Sequence, residues 1–188
     1  MTTRTHGWQD VYQAARADSV AAALSTLHAR FGPPTAGPGG HVISACRSTV
    51  DDDLLGREGL VASSTECRAG RDFAEGLAWL RLGLSERLLD ECVAYLAPRT
   101  TGGTALLELQ MVRGDLADAG AEQMEVRATL VGAPAPEDLP RIHRRLTEAD
   151  RVLLRLLGAS GFLAGGPGGR AVVSELLADI YLDREDLS

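Results

Sequence analysis

The stretch that decides the fold is DFAEGLAWLRLGLSERLLDECVAY, residues 72–95. Phe73, Leu77, Leu80, Leu84, Leu88, Cys92 and Tyr95 recur at intervals of three and four. That spacing predicts one apolar stripe on a long helix, ending near Pro98, whose ring cannot continue a helix. Downstream, Thr100 to Gly103 reads as a short turn, and a second helix is expected from about Thr104 to Leu130. Its apolar side carries Leu109, Val112, Leu116, Ala119, Gln123 and Val126. Pro134 and Pro136 interrupt the chain, and Glu137 and Asp138 open a third helix with Ile142, Leu146, Ala149, Leu153, Leu156 and Leu157. A Gly-rich turn from Gly158 to Gly169 leads into a fourth helix, about Arg170 to Tyr181, whose predicted buried face is Val172, Val173, Leu176, Leu177 and Ile180. Four amphipathic helices with short links predict an all-α, antiparallel four-helix bundle over residues 70–188.

Upstream, residues 1–69 read as an N-terminal segment of one helix plus an irregular region. Val11, Ala14, Ala15, Val20, Leu24 and Leu27 predict a single helix from Asp10 to Phe31, stopped at Gly32-Pro33-Pro34. His41 to Cys46 is either a short strand or a helix start. Asp51 to Asp53 suits a cap for a helix through Leu54 and Leu55, and Gly59 to Cys67 is extended.

Composition narrows the class. The chain has 188 residues, 45% hydrophobic but only 4% aromatic, so its core is built from Leu, Val and Ala, which suits interdigitated helices. The net charge of −7 and the absence of a basic run argue against a nucleic-acid partner. Cys46, Cys67 and Cys92 are odd in number and irregular in spacing, neither a disulfide framework nor a zinc pattern. His6, His28, His41 and His143 show no metal-ligand spacing, so no metal is expected. Ser160 lacks the Gly-x-Ser-x-Gly frame of a nucleophile elbow, and no phosphate-loop motif occurs. The start lacks a basic segment followed by an apolar one, and no apolar run approaches the ~20 residues of a membrane-spanning helix. A soluble, cytoplasmic protein is the expectation.

Two stretches carry a family resemblance. The run from Gly83 through Tyr95 to Arg99, followed by Gly102-Gly103, Gln110 and Leu116-Ala-Asp118, resembles the C-terminal helical domain of the acyl-CoA dehydrogenases. So does Arg155-Leu-Leu-Gly158-Ala-Ser-Gly161-Phe162, followed by Arg170. By this resemblance the chain is a truncated and divergent relative. Arg99 would meet a flavin pyrophosphate, with a guanidinium forking onto phosphate oxygens. Gly102, Gly103, Gln110, Gly158, Gly161 and Phe162 would complete an FAD-binding set shared across a dimer. The sequence departs from the family at Gly102, where phenylalanine is usual, at Arg155 for Gln, at Ala159 for Gly and at Ser174 for an acid.

The resemblance also bears on catalysis. Counting from Arg170 without a gap brings Ile180-Tyr181 into register with the family's Ile-Tyr-Glu-Gly run, so the position of the catalytic glutamate falls on Leu182. Leucine cannot accept a proton, and Asp183 lies about 100° further round a helix. Glu75 and Glu86 are acidic, but nothing marks either as a base. Residues 1–69 are too few for the family's N-terminal and middle β-domains. The resemblance implies first an assembly or partner subunit of a flavin-dependent acyl-thioester oxidoreductase, as a homo-oligomer or with a dehydrogenase-like flavoprotein chain. It implies second a residual FAD-dependent acyl-CoA dehydrogenase, and third a non-redox cyclase or dehydratase for an acyl or polyketide-like intermediate.

Overall fold

The structure, a computed structural model, describes residues 7–32, 35–46, 53–162 and 166–182. Seven helices and two small two-stranded sheets occur among them: α1 (Gln9–Ala17), α2 (Val20–Ala29), β1 (His41–Ala45), α3 (Leu54–Arg57), β2 (Leu60–Ser64), α4 (Arg71–Leu96), β3 (Thr100–Thr101), β4 (Thr104–Ala105), α5 (Gln110–Val131), α6 (Leu139–Leu157) and α7 (Pro167–Tyr181).

The last four helices form the expected bundle, and side-chain pairs give its directions. Arg81 reaches Thr147 and Cys92 reaches the Leu153 carbonyl, so α4 and α6 run the same way. Gln123 returns to Ser85, and Arg170 and Ser174 meet Glu91 and Arg81, so α5 and α7 run oppositely. One large apolar cluster takes in α1, α2, β1 and most of the bundle; a second, built on Leu88, Cys92, Leu96, Ala149, Leu153 and Leu157, fills the end where α4 and α6 finish.

Four details differ from the sequence expectation. The predicted Asp10–Phe31 helix is two helices, because Ser19 leaves helical geometry and its hydroxyl accepts from the Ala22 amide at 3.1 Å, capping α2. Helix α4 has no single buried stripe: residues 75–85 are buried on every side. Gly76 and Gly83 permit this, since a Cβ there would lie 2.5 Å from Leu27 Cδ1 and 2.7 Å from the Tyr12 carbonyl oxygen; α1 and α2 therefore press directly on the α4 backbone. The second bundle helix starts at Gln110 rather than Thr104, because Gly102 and Gly103 take φ of +55° and +84° and turn the chain into the β3–β4 hairpin. On α7, Val172 faces solvent and Ser174 takes an inward place instead.

The ambiguous upstream segment resolves as a strand. β1 pairs antiparallel with β2, His41 opposite Ser64 and Ala45 opposite Leu60. Between them Asp53 caps α3, accepting from the Gly56 amide at 2.6 Å; Asp51 and Asp52 lie outside the described residues. Among the described residues no helix is long and apolar enough to cross a membrane.

Candidate functional site

The residues singled out by the resemblance gather at the end of the bundle where α4 and α6 terminate. Tyr95 near the end of α4 and Ser160 in the 3₁₀ turn after α6 share a hydroxyl–hydroxyl hydrogen bond, which brings the Arg99 region and the Gly158–Phe162 turn together. Arg99 folds back on its own helix: its guanidinium lies 3.3 Å from the Tyr95 ring centroid and donates to the Tyr95 carbonyl. Both contacts leave its outer edge exposed. Gly102 and Gly103 form the hairpin tip, and a Cβ at either would meet only open space. Gly158 ends α6 at φ +56° and also borders open space, whereas Gly161 is buried against Leu157 and Leu154. Gln110 is the first residue of α5 and exposed. It stands on the side of that helix opposite Ala119, Gln123 and Val126, which face the core.

This arrangement is a surface. The exposed Arg99 edge is a cation open to an anion approaching from outside the chain, and the residues around it form no enclosing wall. A small cavity nearby, lined by Leu84, Leu88, Glu91, Asp150, Arg170 and Ala171, measures about 10 Å³, room for one water. Larger hollows of about 480 and 560 Å³ open to solvent elsewhere, at Pro136–Arg144 and beside Gly39, Ser64 and Arg68.

The position matched to the family's glutamate lies at the other end of α7. Leu182 is buried. The neighbouring Tyr181 hydroxyl accepts from the Ile43 amide at 3.1 Å and donates to the Ile43 carbonyl at 3.3 Å, while its ring packs 4.7 Å from Phe73. Burial pushes the Tyr181 hydroxyl up to about 12, opposed by the Ile43 hydrogen bond. This end of α7 is thus built into the core against β1. Asp183 lies outside the described residues. Glu75 and Glu86 are both engaged: Glu75 accepts from the Trp8 indole at 3.1 Å, and Glu86 accepts from Tyr12 at 2.6 Å and from Arg127 at 2.6 Å.

Sequence reasoning missed a buried polar seam through the middle of the bundle. Arg81 is fully buried and donates to Ser174 Oγ at 3.0 Å, to His143 Nδ1 at 3.1 Å, to the His143 carbonyl at 3.0 Å and to Thr147 Oγ1 at 2.7 Å. Each of these partners is neutral. Burial lowers its pKa to about 10, with Asp150, Glu175 and Asp179 opposing through space. The same burial, then the adjacent Arg81 charge, holds His143 down to about 3. The imidazole is thus neutral at pH 7, with Nδ1 accepting from Arg81 and Nε2 placed 3.3 Å from the Ala74 carbonyl. Further along, Gln123 donates to the Ser85 carbonyl and hydroxyl, both at 2.9 Å. Asp150 is buried with Oδ1 unpartnered; burial raises it to about 7, against the pull of Ser85 and Arg81. The available signal was Arg81 set within Leu80-Arg81-Leu82-Gly83-Leu84, a charge inside an apolar run.

Comparison with known proteins agrees with the bundle. Residues 74–136 match the family model described as acyl-CoA dehydrogenase, C-terminal domain. No curated protein matches the chain. Among solved structures, butyryl-CoA dehydrogenase from Megasphaera elsdenii is similar with a TM-score of 0.54 and 17% identity, over 77% of this chain and 45% of that one. A structure described as an FAD-dependent dehydrogenase aligns with a TM-score of 0.47 and 19% identity, over 74% of this chain and 45% of that one. The chain thus spans less than half the length of either. Residues 74–136 thus match the model of that C-terminal domain, and the chain shares its helical fold with the butyryl-CoA dehydrogenase structure.

Proposed function

We propose that the chain is an assembly or partner subunit of a flavin-dependent acyl-thioester oxidoreductase and does not itself supply the proton-abstracting base. The observation that carries this reading is the end of α7. Where the resemblance places a glutamate, Leu182 is buried, and Tyr181 beside it is tied to both backbone polar groups of Ile43. A carboxylate there would lose its hydration to an apolar core. The other acids on α4 that could substitute are held by Trp8, Tyr12 and Arg127. The buried seam supports the same reading, since Arg81, His143 and Ser174 satisfy one another and face one another rather than a ligand. Co-expression with an acyl-CoA dehydrogenase flavoprotein tests it. A stable complex by light scattering, yellow only when the flavoprotein is present, is expected. Monomeric behaviour combined with no association with the flavoprotein refutes it.

A second reading, FAD shared between chains, rests on Arg99 at the exposed bundle end beside Gly102, Gly103 and Gly158. There Arg99 would hold the pyrophosphate, and the bound flavin would supply hydride acceptance. Titration of the purified protein with FAD, followed by flavin absorbance and fluorescence, separates the two. Uptake that is lost in Arg99→Glu favours sharing; a colourless protein without uptake ends it.

A further inference from the structure

Asp150 is a buried acid at the edge of a small cavity. The residue is 4% exposed, and its Oδ1 has no hydrogen-bond partner among the described residues. A buried acceptor left in that state destabilises a fold, so such oxygens are met by a protein group or by an ordered water. The cavity that Asp150 lines measures about 10 Å³, the size of one water. Two further polar side chains line it, Glu91 from α4 and Arg170 from α7. Glu91 accepts from Arg87 Nε at 3.0 Å and from Arg170. A guanidinium carries five N–H donors, of which the Glu91 bond uses one. An acceptor at Asp150, donors at Arg170 and an acceptor at Glu91 suit a molecule that both gives and takes hydrogen bonds. Water does so, and about three partners is its usual number when buried. A cation there would stand against Arg170, and an anion against Glu91.

We propose that the cavity is a site for one internal water, held by Asp150, Arg170 and Glu91, through which the Asp150 carboxyl exchanges its proton with solvent while the chain stays folded. The site is independent of the subunit and flavin readings above. The carboxyl O–H breaks as the water oxygen takes its proton; one of the water's own protons passes to the Glu91 carboxylate and from there to solvent. The rim lies within reach of solvent, since the Glu91 side chain is 31% and that of Arg170 19% exposed. Charges face Asp150 from every side. Helix α4 brings Arg81, Arg87 and Glu91, α7 brings Arg170, Glu175 and Asp179, and α3 is followed by Glu58. On α6 itself Arg151 is paired with Glu175, and His143 is neutral; α5 presents Gln123 to Ser85. Burial, opposed by Ser85 and Arg81, moves the carboxyl to about 7. Its ionisation gives Arg81, whose hydrogen-bond partners are all neutral, a counter-charge in the same seam. The water thus lets external pH set whether the seam holds one buried charge or two opposite ones.

Infrared spectroscopy of the full chain reads the carboxyl directly, because the ionised form lacks the stretch of the protonated one. At pH 5 wild type is expected to show the band of a buried acid, missing in Asp150→Asn, and to lose it as pH rises to 8. On transfer to heavy water the band is expected to shift faster than the protein unfolds. Ala171→Val fills the cavity, and Glu91→Gln removes the proton acceptor at its rim while keeping its shape. Each should slow the shift at least about tenfold with circular dichroism unchanged, because exchange then waits on local opening of the bundle. A wild-type exchange rate in either folded variant overturns the proposal, as does the lack of a protonated band at pH 5. A high-resolution crystal structure is expected to show one water within hydrogen-bond distance of Asp150 Oδ1 and Arg170; a dry cavity overturns the proposal.

Discussion

Replacing Gly83 by alanine and replacing Gly120 by alanine are the same chemical change in the interior of two long helices, and they should have opposite signs. Alanine in a helix interior is favoured over glycine by about 1 kcal/mol. At Gly120 nothing opposes that gain: the added Cβ would sit 3.6 Å from Leu89 Cδ2, an ordinary contact. Gly120→Ala should therefore stabilise by about 0.5–1 kcal/mol. At Gly83 the new Cβ would lie 2.7 Å from the Tyr12 carbonyl oxygen and 2.8 Å from the Ala15 Cβ. Neither is the free end of a flexible side chain, so α1 must move away by roughly 0.7 Å or more to recover a normal contact near 3.5 Å. That movement strains an interface which also holds Tyr12 on Glu86 and Arg87 on the Asp18 carbonyl. Overpacking of this kind costs about 1–3 kcal/mol, which leaves a net loss of up to about 2 kcal/mol after the propensity gain. For a chain of this size each kcal/mol moves Tm by about 2–4 °C. Thermal unfolding followed by circular dichroism should then show Gly83→Ala melting below wild type, by up to about 8 °C, and Gly120→Ala a few degrees above it. If Gly83→Ala rises in step with Gly120→Ala, α1 does not rest on the α4 backbone.

Three further outcomes follow from the capped helix and the buried seam. Ser19→Ala removes the side-chain acceptor for the Ala22 amide and should cost about 1 kcal/mol, read as a Tm lowered by a few degrees. Asp150 is raised from its ordinary value near 4 to about 7 by burial, so the folded chain holds its proton where the unfolded chain has released it. The stability from that proton is complete below pH about 4 and is lost as pH rises through about 7. Denaturant unfolding should show Asp150→Asn, which cannot ionise, gaining on wild type between pH 5 and pH 8 by on the order of a few kcal/mol; equal pH profiles would contradict it. His143 is held to about 3 by burial and by Arg81, so its ring proton signals should not shift between pH 5 and 8. A transition near the ordinary histidine value would mean that Arg81 is not beside it.

The bundle was legible because its helices write their buried side in three-four spacing. The breaks were legible too, at Pro98, at Pro134 with Pro136, and at Gly158. Less visible was the division at Ser19, since the apolar spacing runs on across it from Ala15 to Val20 while the capping hydroxyl ends one helix and begins the next. At Gly102-Gly103 two glycines announce a reversal but not the pairing of Thr100 with Ala105 that makes it a hairpin. In the candidate site, Arg99 and the Gly158–Phe162 turn lie in separate stretches of sequence; that Tyr95 and Ser160 join them is a contact across 65 positions, which no local pattern carries.

By itself, then, the sequence determined four bundle helices, their limits except the start of the second, and a leucine at position 182 where the resemblance expects an acid. Tertiary structure decided the rest, because it depends on which surfaces meet. Gly76 and Gly83 look like weak points in a helix until α1 and α2 are laid on them. Arg81 looks like a solvated charge until the helices close and leave it only Ser174, His143 and Thr147 to bond. The two apolar faces of α5 are equally written in sequence, but only packing shows that one is used and the other is left to water. A periodicity states that a face is apolar; the free energy of burying it belongs to the partner that covers it.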